Sequence, residues 1–211
     1  MSRLNKPTSR TIPNLLAEIA QEMPEHEALV AAGQCWTYKS LLSDVQRVAK
    51  ALIARGIGHG DRVGILAGNR AEWLLSHFAI SSVGAISVGL NTWATAQELG
   101  YQLQHAGVKL IFLEPRFRER NFVDLVEAAR RCAPEIPDVE IITLDDNSNQ
   151  LASDWEAFLV AGNNVDSELV KQRNSNVTAD GIACMLYTSG STALPKGVPL
   201  THQGLSLIHI S

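Results

Sequence analysis

Aromatic residues are scarce in this 211-residue chain, at 6%, and charged residues make up only 19%, with 18 Lys plus Arg against 22 Asp plus Glu. No basic block or stripe stands along it, so the electrostatic footprint of nucleic-acid binding is missing. No apolar run approaches the length of a membrane-spanning helix. Cysteine is limited to Cys35, Cys132 and Cys184, odd in number, far apart and in or beside apolar runs. That pattern reads as buried, reduced thiols of a cytosolic protein, not as a disulfide framework. The six histidines are scattered, with no His-x-x-x-His or Cys-x-x-Cys spacing, so no metal cluster is expected. Arg3, Lys6 and Arg10 precede the first acid, Glu18, but the apolar core of a secretion signal is lacking. A cytoplasmic location is the expectation, with a mitochondrial presequence as the alternative.

What the chain does have is a regular alternation of strand-like and helix-like segments, enough for one to two domains. Residues 11–22 place Ile12, Leu15, Leu16 and Ile19 on one helical face, and Ala28–Ala31 with Cys35–Tyr38 reads as a hairpin. Leu41, Leu42, Val45, Val48, Ala49, Leu52 and Ile53 fall at helical spacing until Gly56 stops them. A glycine-punctuated turn, Gly56–Arg62, leads into a strand at Val63–Leu66, and a helix follows at Glu72–Ser82 with Trp73, Leu74 and Phe78 inward. Ala85–Leu90 is a further strand. Thr95 and Glu98 have capping-box spacing ahead of a helix through Leu99, Leu103 and His105. Val108–Leu113 reads as a buried strand, Arg118–Cys132 as a helix closed by Pro134, and Val139–Leu144 as another strand. The alternation predicts a layered α/β/α fold with a largely parallel sheet. Residues 145–180, with three polar loops, read as an insertion or subdomain connection.

The chemistry concentrates in Tyr187–Val198, YTSGSTALPKGV, directly after the apolar run Ile182–Leu186. A buried strand that ends in hydroxyls and glycine, followed by a lysine, presents anion-binding groups at a sheet edge. Gly190 and Gly197 allow backbone angles that aim successive N–H groups into a concavity. The hydroxyls of Thr188, Ser189, Ser191 and Thr192 add uncharged donors, and Lys196 a mobile positive charge. Polyphosphate is the expected guest. A Walker loop is excluded, because Lys196 is followed by glycine and no hydroxyl.

This stretch resembles the phosphate loop of the adenylate-forming (AMP-dependent synthetase/ligase) superfamily, Tyr/Phe-Thr-Ser-Gly-Ser/Thr-Thr-Gly-x-Pro-Lys-Gly-Val. Eleven of the twelve positions agree, and Ala193 stands where the family normally has glycine. The resemblance continues through Thr37-Tyr38 with Leu41, Gly60-Asp61-Arg62-Val63, Asn69-Arg70-x-Glu72, Gly84-Ala85, Leu90-Asn91, Glu98-Leu99 and Thr201-His202, so it covers roughly residues 11–204. By themselves Asp61 and Arg62 read as a turn and packing pair, Glu72 as helix surface and Trp73 as core.

The resemblance implies the N-terminal, incomplete part of the adenylate-forming fold over residues 1–204. It implies a two-step reaction in which a carboxylate attacks the α-phosphate of ATP, and a thiol then takes the acyl group. Thr188, Ser189, Gly190, Ser191, Thr192, Lys196 and Gly197 would hold the β- and γ-phosphates, with Thr192 near Mg²⁺. The wording Leu90-Asn91-Thr92-Trp93 is most like acyl-CoA synthetases, with CoA as acceptor. An aryl-acid ligase, a carrier-protein adenylation domain, and a short non-catalytic nucleotide-binding remnant stand as alternatives. Family members are considerably longer. No catalytic residue is assigned within this chain, because the adenine site, the acid pocket and the catalytic lysine are expected in later sequence. The chain alone is therefore expected to be inactive. Leu205–Ser211, LSLIHIS, is what CTGTCTCTTATACACATCTC encodes, and that DNA resembles a transposon end used in preparing sequencing libraries. Residues 205–211 are accordingly expected to be a non-native tail.

Overall fold

The central strands of the main sheet are apolar on both of their sides and are held between two helical layers. The computed structural model describes residues 8–133, 138–145, 153–188 and 194–207. In chain order it has α1 (Ile12–Glu22), β1 (Glu27–Ala31), β2 (Gln34–Thr37), α2 (Tyr38–Ala54), β3 (Arg62–Leu66), α3 (Ala71–Ser82), β4 (Ile86–Gly89) and α4 (Ala96–Ala106). There follow β5 (Val108–Leu113), β6 (Arg116–Phe117), β7 (Arg120–Asn121), α5 (Phe122–Cys132), β8 (Glu140–Thr143), β9 (Ser153–Asp154), α6 (Trp155–Ala161), α7 (Ser167–Ser175), β10 (Ile182–Thr188), β11 (Lys196–Thr201) and α8 (His202–Leu207).

Seven strands form the main sheet in the order β11-β10-β4-β3-β5-β8-β9. Every pairing is parallel except β10 with β11. Period-two alternation divides the strand side chains between the two faces. Val63, Ile65, Leu110, Phe112 and Ile142 pack under α2, α3 and α6, whereas Leu66, Val108, Ile111, Leu113 and Ile141 pack under α4 and α5. The expected α/β/α layering is the observed one. Among the described residues no helix is long and apolar enough to cross a membrane.

The helix ends follow local chemistry. Thr95 and Glu98 form a reciprocal capping box at α4, with Thr95 N donating to Glu98 Oε2 at 2.8 Å and Glu98 N to Thr95 Oγ1 at 3.2 Å. The other end of α4 closes on Gly107 in the left-handed conformation, φ 60°. There the Arg62 guanidinium donates to the carbonyls of Ala106 (2.7 Å), Gly107 (2.9 Å) and Gly60 (3.1 Å). Asp61 accepts from Gly58 N at 3.0 Å and pairs with Lys109 at 2.6 Å. The Gly-Asp-Arg-Val segment is thus a structural joint between the turn before β3, the end of α4 and the start of β5.

Several expectations need correction. Residues 118–121 do not begin a helix. Arg118 has φ 56°, which breaks helical geometry, and α5 starts at Phe122 under an Asn121 cap that accepts from Val123 N and Asp124 N. Pro134 lies outside the described residues. In α3, Trp73 and Phe78 turn inward as expected, half-buried and packed against the core that holds Leu75, Ala79 and Ile80, and Leu74 is likewise half-buried. A cavity of about 590 Å³ is lined by Leu74, His77 and Phe78 of α3 with residues of α1, β1 and α2. Residues 153–175 are an integral part of the layers: β9 extends the sheet, and α6 packs on α2 through Phe158, edge-on to Phe112 at 5.3 Å. Cys35 and Cys132 are exposed free thiols, and only Cys184 is buried.

Candidate functional site

The parallel strands deliver their C-terminal ends to one edge of the sheet, where ligands of open α/β folds are bound. Thr188 ends β10 on that edge and Lys196 begins β11 beside it, the two being directly paired across the antiparallel ladder. Both are exposed. Gly197 is paired with Tyr187 one step further in. The phosphate-loop candidates Ser189, Gly190, Ser191 and Thr192 lie outside the described residues. The described part therefore fixes where the loop's two ends stand: together, at the tip of a hairpin on the C-terminal edge of the parallel strands.

Two features of this hairpin differ from expectation. Lys196 belongs to a strand, because Lys196–Thr201 ladders back along β10. The strand ahead of the loop is only half covered, with Ile182 39% and Leu186 44% exposed, since β10 lies next to the outermost strand and helices do not cover its even-numbered face fully.

The hairpin is tied inward by α4. The Tyr187 hydroxyl donates to the Gln102 carbonyl at 3.2 Å and lies 2.9 Å from His105 Nδ1. His105 stacks on Tyr101 at 5.3 Å and meets Tyr187 edge-on at 5.9 Å. Burial, with the nearby Tyr101, pushes the Tyr187 phenol up to about 12, so it remains a neutral hydrogen-bonding group. Nothing in the linear pattern pointed to this cluster. Tyr101 and His105 are one helical turn apart, and their partner Tyr187 is 82 residues further along the chain than His105.

Neighbouring strand ends contribute more polar groups to the same edge. Arg70, after β3, pairs with Glu72 (2.7 Å), Asp145 (2.8 Å) and Glu114 (3.9 Å), and Glu114 also accepts from Gly68 N at 2.7 Å. This guanidinium knits the ends of β3, β5 and β8 together. After β4, Trp93 is 63% exposed and lies under the Arg118 guanidinium, 5.3 Å from its ring centre. Arg120 donates to the Thr92 and Ala94 carbonyls and holds that turn in place. Among the described residues no group of three His, Cys, Asp or Glu side chains gathers as a metal site would require.

The 590 Å³ cavity is at the other end of the hairpin, where His202 follows β11. Its lining is mainly apolar, and its two imidazoles are held neutral. Burial, with the neighbouring His202 second, lowers His77 to about 4, and burial lowers His202 to about 4. It has the size of a ligand pocket but holds none of the phosphate-loop residues, so the hairpin tip is the stronger candidate site.

The AMP-binding enzyme family matches residues 16–209. The chain is 34% identical to the acyl-CoA ligase sidI of Aspergillus fumigatus over 92% of its own length and 34% of that protein's. It is 33% identical to the acyl-CoA ligase SID4 of Ajellomyces capsulatus, over 81% of this chain and 29% of the relative. The fold is similar to that of the anthranilate CoA ligase AuaEII, whose crystal structure contains anthranoyl-AMP, with a TM-score of 0.72, 24% identity, and 96% of this chain against 37% of that one. The chain thus spans about a third of the length of the curated relatives it matches. With the family matched across nearly the whole chain and the same fold in a solved ligase, the chain belongs to the family of AMP-binding, adenylate-forming enzymes.

Proposed function

We propose that the chain is the N-terminal portion of an ATP-dependent acid–thiol ligase that activates an acyl carboxylate as its adenylate for transfer to CoA. The observation that carries this reading is the hairpin tip, which brings the two ends of a hydroxyl- and glycine-rich loop together beside Lys196. In the first step a carboxylate oxygen bonds to the α-phosphorus of ATP. The bond from that phosphorus to the bridging oxygen breaks, and pyrophosphate departs with the electron pair. Such chemistry is mostly positioning and charge stabilisation. Thr188, Ser189, Gly190, Ser191, Thr192 and Gly197 hold the β- and γ-phosphates through amides and hydroxyls. Lys196 offsets the charge that develops on pyrophosphate, and Thr192 would help to hold the Mg²⁺ that ATP brings, which would supply further charge stabilisation. The acyl-CoA ligase names of the relatives support CoA as the acceptor and an acyl acid as the substrate.

Residues 1–204 are the native part of this portion in our reading, and residues 205–211 a non-native tail. The 211-residue chain alone does not complete the reaction, because the adenine site, the acid pocket and the catalytic lysine belong to later sequence. The test is to sequence the source DNA onward across the codons for Gly204–Ser211. The recovered polypeptide is then assayed for acid-dependent exchange of pyrophosphate into ATP, over a panel of fatty and aryl acids. Exchange with fatty acids, followed by CoA thioester formation, is the expected result. A genuine stop codon after Ser211, or no exchange with any acid, would overturn the reading in favour of a non-catalytic remnant.

A further inference from the structure

We infer that His105 is a positioning residue for the polyphosphate of ATP, acting through Tyr187 on the phosphate-loop hairpin. This rests on the reading of Tyr187–Val198 as the phosphate loop. The hairpin needs an anchor. β11 is the outermost strand of the sheet and carries Pro199, a residue that lacks an N–H and suits an edge. Leu186, Leu194 and Val198 are exposed around it.

The anchor is α4, which is held at both ends: by the Thr95–Glu98 capping box at its start and by Arg62 over Gly107 at its finish. Its last turns carry Tyr101, Gln102 and His105 toward the hairpin just below its tip. The Tyr187 hydroxyl has one proton, and the Gln102 carbonyl can only accept, so that proton goes to Gln102. The 2.9 Å contact with His105 is then a bond donated by Nδ1–H to the phenol oxygen, which fixes the tautomer with Nδ1 protonated. The same imidazole lies against the second strand. A Cβ on Gly197 would stand 3.4 Å from His105 Cε1, 3.4 Å from the Tyr187 ring and 3.1 Å from Met185 Sδ. The imidazole therefore touches both strands at the pair Tyr187–Gly197, immediately before Thr188–Lys196. Without this contact the loop's two ends must be ordered when the ligand arrives, and that ordering weakens binding.

The probe is inorganic pyrophosphate with Mg²⁺, titrated calorimetrically into the 211-residue chain and its variants, with thermal melting measured in parallel. His105→Ala is expected to weaken binding roughly tenfold, the scale of one hydrogen bond, while the melting temperature stays within a few degrees because His105 is exposed. Tyr187→Phe should match it, and His105→Asn, which keeps a donor near the Nδ1 position, should restore most of the affinity. If the wild-type chain binds no pyrophosphate, the phosphate-loop reading fails and the proposal with it. If the wild type binds and His105→Ala binds equally well, only the anchor is overturned. Failure of His105→Asn to recover affinity would likewise overturn the hydrogen bond as its basis. If Tyr187→Phe melts far lower, amide hydrogen exchange at 196–198 in His105→Ala decides: unchanged protection rejects the anchor, and loss confined to those amides supports it.

Discussion

The Arg62 guanidinium sits over Gly107, donating to its carbonyl at 2.9 Å and to that of Ala106 at 2.7 Å. A Cβ on Gly107 would lie 2.5 Å from Arg62 Nη2, and the residue's φ of 60° already favours glycine. Arg62→Ala leaves these carbonyls without their charged donor and should cost about 2–3 kcal/mol in urea unfolding. Gly107→Ala should cost about 1–2 kcal/mol, through left-handed strain and displacement of the guanidinium. The two effects should be non-additive, since both disrupt one joint. Simple additivity in the double variant would show that the joint does not act as a unit.

Phe112 is completely buried in β5 and meets Phe158 at 5.3 Å and Trp155 at 5.6 Å, both edge-on. Phe112→Ala should lower stability by about 3–5 kcal/mol, combining lost transfer energy with a residual cavity. Tryptophan fluorescence, to which Trp155 contributes, reports the same transition, so the shift can be read from the unfolding curve. A loss below about 1 kcal/mol would mean that α6 collapses into the space.

Acid should destabilise the fold through its histidines. His77 and His202 are both lowered from 6.5 to about 4 in the folded chain, by burial first. Their contribution is complete above pH 6.5, where both states are neutral. It is lost as pH falls through the window from about 6.5 to 4, because only the unfolded chain readily takes up the protons. The slope is at most about 1.4 kcal/mol per pH unit for each histidine. Unfolding free energies measured from pH 7.5 to 4.5 should show a shallower decline in His77→Gln. Parallel curves for the two proteins would rule out His77 as the source.

Lys196 is exposed, so its removal should touch binding and leave folding alone. Lys196→Ala is expected to weaken Mg²⁺–pyrophosphate binding by about tenfold or more, the scale of a charged hydrogen bond, with thermal melting unchanged. Wild-type affinity should also fall with added salt, and that dependence should lessen in the variant. An identical salt response in both proteins would place the charge elsewhere.

Much of this arrangement was legible before the fold was known. The Thr95–Glu98 spacing, the α2 periodicity and the Val108–Leu113 run each depend on neighbours within one turn or one strand, and each stands where the spacing put it. Less legible were boundaries set by contacts across the chain. The start of α5 depends on the turn that Arg118 makes with a positive φ. The strand nature of Lys196–Thr201 depends on its pairing with β10.

By itself the sequence determined the alternating α/β architecture, the Thr95–Glu98 cap and the family, because periodicity, capping chemistry and the motif at Tyr187–Val198 are local. Only the tertiary structure decided that the two ends of the loop meet at the tip of an edge hairpin. It also decided that Arg62 caps a helix over 40 residues away and that Tyr187 leans on His105. Those facts arise from sheet order and layer packing, which bring together residues that no local pattern relates.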